Sequence, residues 1–154
     1  VRGPEGFRSP VEREAGFREA FADSGLALDE SLIAEGNYRF DSGLEAGREL
    51  LDRKKRPSAI FASNDEMASG VLHAAYSFGL SVPDDLEVVG FDDTATASHV
   101  WPTLTTIHWP IEEMGRLAAM KLVSEFLGGS TDEFDLEQVV VNSHIVERVS
   151  AKLR

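Results

Sequence analysis

The feature that most constrains this sequence is a regular alternation of short apolar runs and segments with helical periodicity. Residues 59–62 and 86–91 are apolar runs, each followed by polar residues, and this pattern is typical of strands buried on both faces. The segment after the first run has apolar residues at helical spacing, namely Ala68, Val71, Leu72 and Ala75. Strands that alternate with helices form parallel sheets covered by helices. We therefore predict an α/β fold with a parallel, doubly wound sheet and flanking helices.

The remaining elements are predicted from the same signals. Ser9 and Ser42 each stand three residues before a glutamate, which is the spacing of a capping box and predicts a helix start at each serine. Gly25 and Gly79 are expected to end helices. We further predict strands at residues 32–35, 104–108, 139–141 and 145–149, a polar loop from residue 92 to 102, and a helix from Ile111 to Gly128.

Composition and charge exclude several classes of function. The chain has 27 acidic and 15 basic residues and a formal charge of −12, so it repels a phosphate backbone and is not expected to grip DNA by itself. The basic residues 53–56 lie where cations stabilise a helix end, which explains them without a nucleic-acid patch. There is no cysteine, and no apolar run approaches the roughly 20 residues that a membrane span needs.

The sequence lacks the motifs of the common enzyme classes. It has no Gly-x-Ser-x-Gly nucleophile motif, no Gly-rich phosphate loop and no His-Glu-x-x-His pair. Its four histidines, at positions 73, 99, 108 and 144, have no spacing typical of metal ligands. Asp92 and Asp93 are adjacent, so in an extended backbone their side chains diverge and do not share a proton. We predict a binding module with no catalytic residue, metal or cofactor.

Polar residues follow two of the predicted strands. Asn64 and Asp65 come after the first run, and Asp92 and Asp93 come after the second. Ligands of open parallel sheets bind beyond the carboxyl ends of the strands, and amide and carboxylate groups suit a polar or polyhydroxylated small molecule. A purely structural alternative is that Asn64 caps a helix and the aspartates hold a turn.

Two aromatic residues also lie at predicted loop positions. Tyr38 stands between a strand and a helix, and Trp109 lies just past a strand. An aromatic ring at such a place can stack on the apolar face of a sugar or a purine. Both residues equally suit a packing role, so the residues alone leave the two functions open.

The motifs, taken in order, resemble those of one known family. Gly3-Pro4 precedes Ser9, Arg13 and Gly16-Phe17, and residues 59–68 then read AIFASNDEMA. Further motifs are VPDD at 82–85, VVGFDD at 88–93, LTTI at 104–107 and MGR at 114–116. This order resembles the effector-binding region of the lactose-repressor/galactose-repressor (LacI/GalR) family of transcriptional regulators, over nearly the whole chain.

The resemblance implies a periplasmic-binding-protein-like type I fold, incomplete and consisting mainly of the C-terminal subdomain. By resemblance, the effector-contacting residues are Arg13, Asn64 and Asp92, with Ser9 and Tyr38 as walls of the cleft and Trp109 and Ile111 flanking it. The pair Trp109-Pro110 departs from the family's usual polar residue before proline.

The family also implies a division of the chain. Residues 1–110 would be the C-terminal subdomain, 111–137 a helix that packs in the family's N-terminal subdomain, and 138–154 the closing strands. We expect the helix at 111–137 to be displaced, to pack against another chain or to be poorly ordered, because an exposed apolar stripe invites association.

The function implied is that of the effector-binding and dimerisation part of a cytoplasmic LacI-type regulator. Its effector would be a sugar or related polar metabolite. Operator DNA would be contacted only through an absent N-terminal headpiece, and no membrane is involved. The homodimer would use the helix that begins at Asn64 and the loop after Asp93. The alternative is a periplasmic sugar-binding protein of a transport system, and a weaker one is a small α/β enzyme.

Overall fold

The computed structural model describes residues 1–126 and 140–152, and the chain divides into two compact units. The first unit comprises Val1–Ile107 and Ile145–Arg154, and the second comprises His108–His144. The helices are α1 (Arg8–Asp23), α2 (Phe40–Leu51), α3 (Asp65–Ser77), α4 (Ala95–His99) and α5 (Ile111–Phe126), with a 3₁₀ turn at Glu30–Leu32. The strands are β1 (Ala59–Phe61), β2 (Glu87–Val89), β3 (Thr106–His108) and β4 (His144–Val146).

The centre of the first unit is a set of parallel backbone segments. β1 pairs with β2 in parallel, with Ala59 opposite Glu87, and β2 continues to the next segment because the Gly90 amide donates to the Thr105 carbonyl at 2.9 Å. β3 and β4 form a second, two-stranded sheet. The parallel arrangement confirms the predicted sheet class.

The segment at Val1 and Arg2 lies between β1 and residues 34–36. The Val1 amino nitrogen donates to the Phe61 carbonyl at 2.6 Å, and on the other side the Arg2 amide donates to the Ala34 carbonyl at 2.9 Å. Numbered along the chain, the five parallel segments are residues 1–2, residues 34–36, β1, β2 and the segment at Thr105, and they lie side by side in the order 2-1-3-4-5. This order reverses direction between the first and third segments, and such a switch point is where doubly wound sheets bind ligands.

Helices α2 and α3 pack closely because both carry glycine at their contact. A β-carbon on Gly70 of α3 would lie 2.5 Å from the Leu44 amide nitrogen. A β-carbon on Gly43 of α2 would likewise lie 2.5 Å from the α-carbon of Met67. Apolar carbon atoms pack best at about 3.5–4.0 Å, so neither position has room for a side chain. The buried apolar residues around this contact include Leu50, Leu51, Met67, Val71 and Leu72.

Near its C-terminal end, the first unit contributes a serine to its own interior. The Ser150 side chain is fully buried. It accepts a hydrogen bond from the Thr105 amide at 2.8 Å and donates to the Val88 carbonyl at 2.6 Å. Arg148 donates to the Asp93 carboxylate at 2.7 Å. Residues 148–150 therefore connect β2 with the segment that leads to β3 and with the turn after β2.

Both predicted capping boxes are wrong. α1 begins one residue before Ser9 and α2 begins two residues before Ser42, and neither N-cap residue makes a side-chain cap. The Ser9 hydroxyl lies 3.3 Å from the Tyr38 hydroxyl. The Ser42 hydroxyl accepts from the Asn37 amide at 2.9 Å and donates to the Arg39 carbonyl. The hydroxyls have other partners, so the capping spacing marks no helix start here.

Other local predictions have mixed outcomes. Residues 32–35 are not a strand: the 3₁₀ turn occupies Glu30–Leu32, and Glu35 alone forms a bridge, with Arg2. The polar loop after Asp92 contains the short helix α4. Gly25 and Gly79 do follow helix ends and have positive φ angles of 66° and 69°. The predicted helix end at Gly128 and the strand residue Val139 lie outside the described residues.

The second unit contains α5, which carries exposed apolar side chains. Leu122 is 67% exposed and Phe126 is 90% exposed.

Within residues 1–126 and 140–152, no helix combines the length and apolar character that crossing a membrane requires. The predicted division at residues 110 and 137 stays a prediction.

Candidate ligand-binding site

The first feature of the site is an arginine at the switch point of the sheet. Arg13, on α1, donates from its guanidinium to the Ser63 carbonyl just past β1. It also donates to the Asp92 carboxylate just past β2, at 3.3 Å. The guanidinium carbon lies 3.8 Å from the centre of the Phe91 ring, a stacking geometry that favours a cation. Arg13 therefore joins the ends of two adjacent strands.

The Arg13–Asp92 pair is partly shielded from water. Its side chains are 14% and 24% exposed, so their attraction is screened less than that of a surface pair. The guanidinium offers several donors and the carboxylate several acceptor positions. A ligand hydroxyl can accept from the first and donate to the second, which a purely apolar ligand cannot do.

Asn64 is a helix cap and also holds the preceding loop. Its side-chain oxygen accepts from the Met67 amide at 2.9 Å, and its side-chain nitrogen donates to the Tyr38 carbonyl at 2.9 Å. The capping role that the sequence left open is therefore confirmed. The amide keeps a second N–H and a second lone pair, so the predicted contact between Asn64 and a ligand stays a prediction.

Replacing Asn64 with alanine should destabilise the chain by about 1–2 kcal/mol, because the α3 cap is lost. Asn64→Ser keeps a cap acceptor and loses the donor to Tyr38 without placing a carboxylate against that carbonyl, so it should cost clearly less. Urea unfolding followed by circular dichroism measures both changes. Equal stability of Asn64→Ala and the wild type would contradict the structural role.

Tyr38 has a left-handed backbone and packs on a glycine. Its φ angle is 69°, and a β-carbon on Gly3 would lie 2.5 Å from the ζ-carbon of its ring. Its hydroxyl reaches the Ser9 hydroxyl. The structure thus brings Ser9 and Tyr38 together beside Asn64, whose side chain binds the Tyr38 backbone. The role of Gly3 in making room for the ring was not predicted from the sequence.

Asp92 and Asp93 point to different partners, so their predicted divergence is confirmed, although the backbone is not extended as the prediction assumed. Asp92 pairs with Arg13, whereas Asp93 accepts from Arg148 at 2.7 Å. Both have positive φ angles, 108° and 51°, which are uncommon for residues other than glycine. Only Asp92 therefore faces the arginine of the site, and Asp93 is bound to the C-terminal segment.

Trp109 and Ile111 belong to the second unit. Their predicted positions beside the cleft stay predictions. Within the part of the chain that the structure describes, no group of three histidine, aspartate or glutamate side chains could hold a metal ion. The polar cluster at the switch point thus consists of Arg13, Asn64 and Asp92, with Ser9 and Tyr38 beside them.

The first unit also contains a cavity of about 640 Å³ that is distinct from this cluster. It is lined mainly by residues 27–33 (except residue 30), by 55–61, and by Phe17 and Phe21 of α1, with further charged side chains from Arg2, Glu14 and Arg53. Arg13, Asn64 and Asp92 are not among its lining residues. We assign the site to the polar cluster instead, because ligands of doubly wound sheets bind beyond the carboxyl ends of the strands, and Arg13 and Asp92 meet there.

Comparisons with known proteins identify the family of the chain. Residues 1–151 match the family described as the periplasmic binding protein-like domain. Catabolite control protein A of Priestia megaterium is 41% identical over 129 residues, covering 84% of this chain and 39% of that protein. The HTH-type transcriptional regulator CelR of Thermobifida fusca is 39% identical over 150 residues, covering 97% and 43%. The solved structure of a CelR–cellobiose complex has 38% identity and a TM-score of 0.87, covering 98% of this chain and 45% of that one.

The chain belongs to the periplasmic binding protein-like domain family. Its relatives are transcriptional regulators, and within that family it corresponds to the C-terminal, effector-binding part of the LacI/GalR-type regulators. The predicted fold and family are thereby confirmed. The chain spans 39–43% of the length of the two curated relatives described above.

Proposed function

We propose that this chain is the effector-binding and dimerisation part of a cytoplasmic LacI-type transcriptional regulator. Its effector is a sugar or a related polar metabolite. Binding shifts the balance between two arrangements of the protein and thereby changes its affinity for operator DNA. The DNA is contacted through a headpiece outside these residues, because a chain of charge −12 repels phosphate.

The observation that carries the proposal is the Arg13–Asp92 pair at the switch point. A donor fork beside an acceptor carboxylate matches neighbouring hydroxyl groups, each of which donates and accepts. The negative charge of Asp92 and of the chain as a whole disfavours a strongly anionic ligand. The CelR structure supports a sugar, since it contains cellobiose.

Titration calorimetry with the full-length protein tests the proposal against a panel of neutral sugars, sugar phosphates and nucleobases. We expect saturable binding of a neutral sugar, accompanied by a change in affinity for operator DNA. Binding without any effect on DNA affinity would instead support the alternative, a sugar-binding protein of a transport system. Absence of binding to the whole panel would overturn the proposed ligand class.

We also propose that the protein is a homodimer through α3 and the segment after Asp93. Each of these elements carries a large exposed side chain: Tyr76 on α3 is 82% exposed and Trp101 is 88% exposed. Exposed aromatic rings of this size are typical of interface anchors.

Light scattering should therefore give the mass of a dimer for the full-length protein at high concentration. Trp101→Lys should shift the mass toward the monomer, because it places a charge where an apolar ring would be buried. Phe7→Lys, at a residue that is 61% exposed just before α1, is the matched control and should leave the dimer intact. A monomeric wild type would exclude the assembly.

A further inference from the structure

Asp65 is a buried carboxylate with an unusually full set of donors. It is 1% exposed. Its Oδ2 accepts from the Thr94 amide at 2.7 Å and from the Thr94 hydroxyl at 3.0 Å, while its Oδ1 accepts from the Thr106 hydroxyl at 2.6 Å. Hydrogen bonds to an ionised group are stronger than neutral ones. Asp65 therefore links the start of α3 to β3 and to the residue directly after the Asp92–Asp93 turn.

The turn needs such a support because its backbone conformation is unfavourable. Asp92 and Asp93 are two consecutive residues with positive φ, and residues with side chains persist in that region only where their surroundings hold them. The amide after the turn is held by Asp65. The Asp93 amide reaches the Thr106 hydroxyl at 3.4 Å, and this hydroxyl itself donates to Asp65.

The strand before the turn leaves space for this arrangement. A β-carbon on Gly90 would collide with the Asp65 carboxylate. The glycine thus allows the carboxylate to reach Thr94 and Thr106 past the end of β2. The same turn carries Asp92, which lies 3.3 Å from the Arg13 guanidinium. The support and the ligand site are therefore joined through the five consecutive residues 90–94, directly after β2.

We propose that Asp65 is a positioning residue for the ligand site: its buried carboxylate holds the Asp92–Asp93 turn in the conformation that aims Asp92 at Arg13. The importance of Asp65 for ligand binding rests on the function proposed above. The effect of Asp65 on the turn is independent of that function, because it can be measured without a ligand.

Hydrogen exchange and calorimetry on the full-length protein test this inference together. Asp65→Ala removes all three acceptor contacts, so the Thr94 amide should exchange at least tenfold faster and the dissociation constant for the neutral sugar should rise at least tenfold. Asp65→Asn keeps one acceptor oxygen and should give smaller changes in both. Leu51→Ala, at a core residue of α2 that is 1% exposed, is the control for lost stability alone.

The Leu51→Ala control separates a positioning role of Asp65 from a general loss of stability. Leu51→Ala should lower the unfolding midpoint while it leaves sugar affinity, measured well below that midpoint, unchanged. If Asp65→Ala and Leu51→Ala weaken binding in proportion to their lost stability, or if Asp65→Ala leaves Thr94 exchange at the wild-type rate, the inference is overturned. If the wild type binds no sugar, the proposed function fails, whereas Thr94 exchange still decides the role of Asp65.

Discussion

Replacing Gly70 with alanine is expected to destabilise the chain by about 3 kcal/mol, which is a large part of the stability of a typical domain. The added β-carbon would lie 2.5 Å from the Leu44 amide nitrogen and closer still to the Phe40 carbonyl oxygen. Both are backbone atoms of the α2 region, so no side-chain rotation can relieve the clash. The two helices must separate, and the apolar contacts between them are lost.

Gly16→Ala is the matched control, because Gly16 is also a helical glycine and a β-carbon there meets nothing within 4 Å. It should stabilise the chain by about 0.5–1 kcal/mol, since alanine loses less backbone freedom in a helix than glycine does. Urea unfolding at constant pH measures both variants. If the two substitutions shift the unfolding midpoint in the same direction, the close contact between α2 and α3 is not the reason why position 70 requires glycine.

Arg13→Met should weaken binding of a neutral sugar by about 10–100-fold. A hydrogen bond to a charged group contributes about 1.5–3 kcal/mol, and each 1.4 kcal/mol corresponds to about tenfold in the dissociation constant. Methionine keeps an unbranched apolar chain that can still lie on the Phe91 ring, so the folded state should be largely preserved. Calorimetry on the full-length protein gives the affinity, and circular dichroism checks the fold.

Arg8→Met, one and a half turns earlier on α1, is the control for removing a positive charge from the same helix. The Arg8 side chain is 90% exposed and pairs with Glu12, which is 59% exposed, at 2.6 Å, and such surface pairs contribute little. The Arg8→Met variant should bind the sugar with the same affinity as the wild type. Equal affinities of the Arg13 and Arg8 variants would exclude Arg13 as a ligand contact.

The sheet and the polar ends of its strands could be predicted because their signals are local. The apolar run at 59–62 and the polar residue Asn64 lie within six positions of each other, and a strand end followed by a helix cap needs no distant partner. The capping boxes at Ser9 and Ser42 are just as local, but each hydroxyl is bound elsewhere. Ser9 reaches Tyr38, 29 positions further along the chain, and no spacing rule includes that contact.

The parts of the site that escaped prediction depend on long-range geometry. Asp65 was recognised as a polar residue at a strand end, but its donors come from Thr94 and Thr106, which are 29 and 41 positions away. Gly3 is required only because the Tyr38 ring lies against it. The positive φ angles of Asp92 and Asp93 likewise depend on the surrounding contacts. Neither residue is a glycine, so the sequence does not indicate a positive φ at these positions.

The contacts of Arg148 and Ser150 can form only late in the synthesis of the protein. Arg148 supplies the partner of Asp93, and Ser150 joins Thr105 to β2. Until these residues leave the ribosome, the turn that carries Asp92 lacks one of its supports, even though every residue of the polar cluster has already been made. A nascent chain that ends before Arg148 should therefore contain all the ligand-binding residues while the turn that carries Asp92 is held by Asp65 without Arg148.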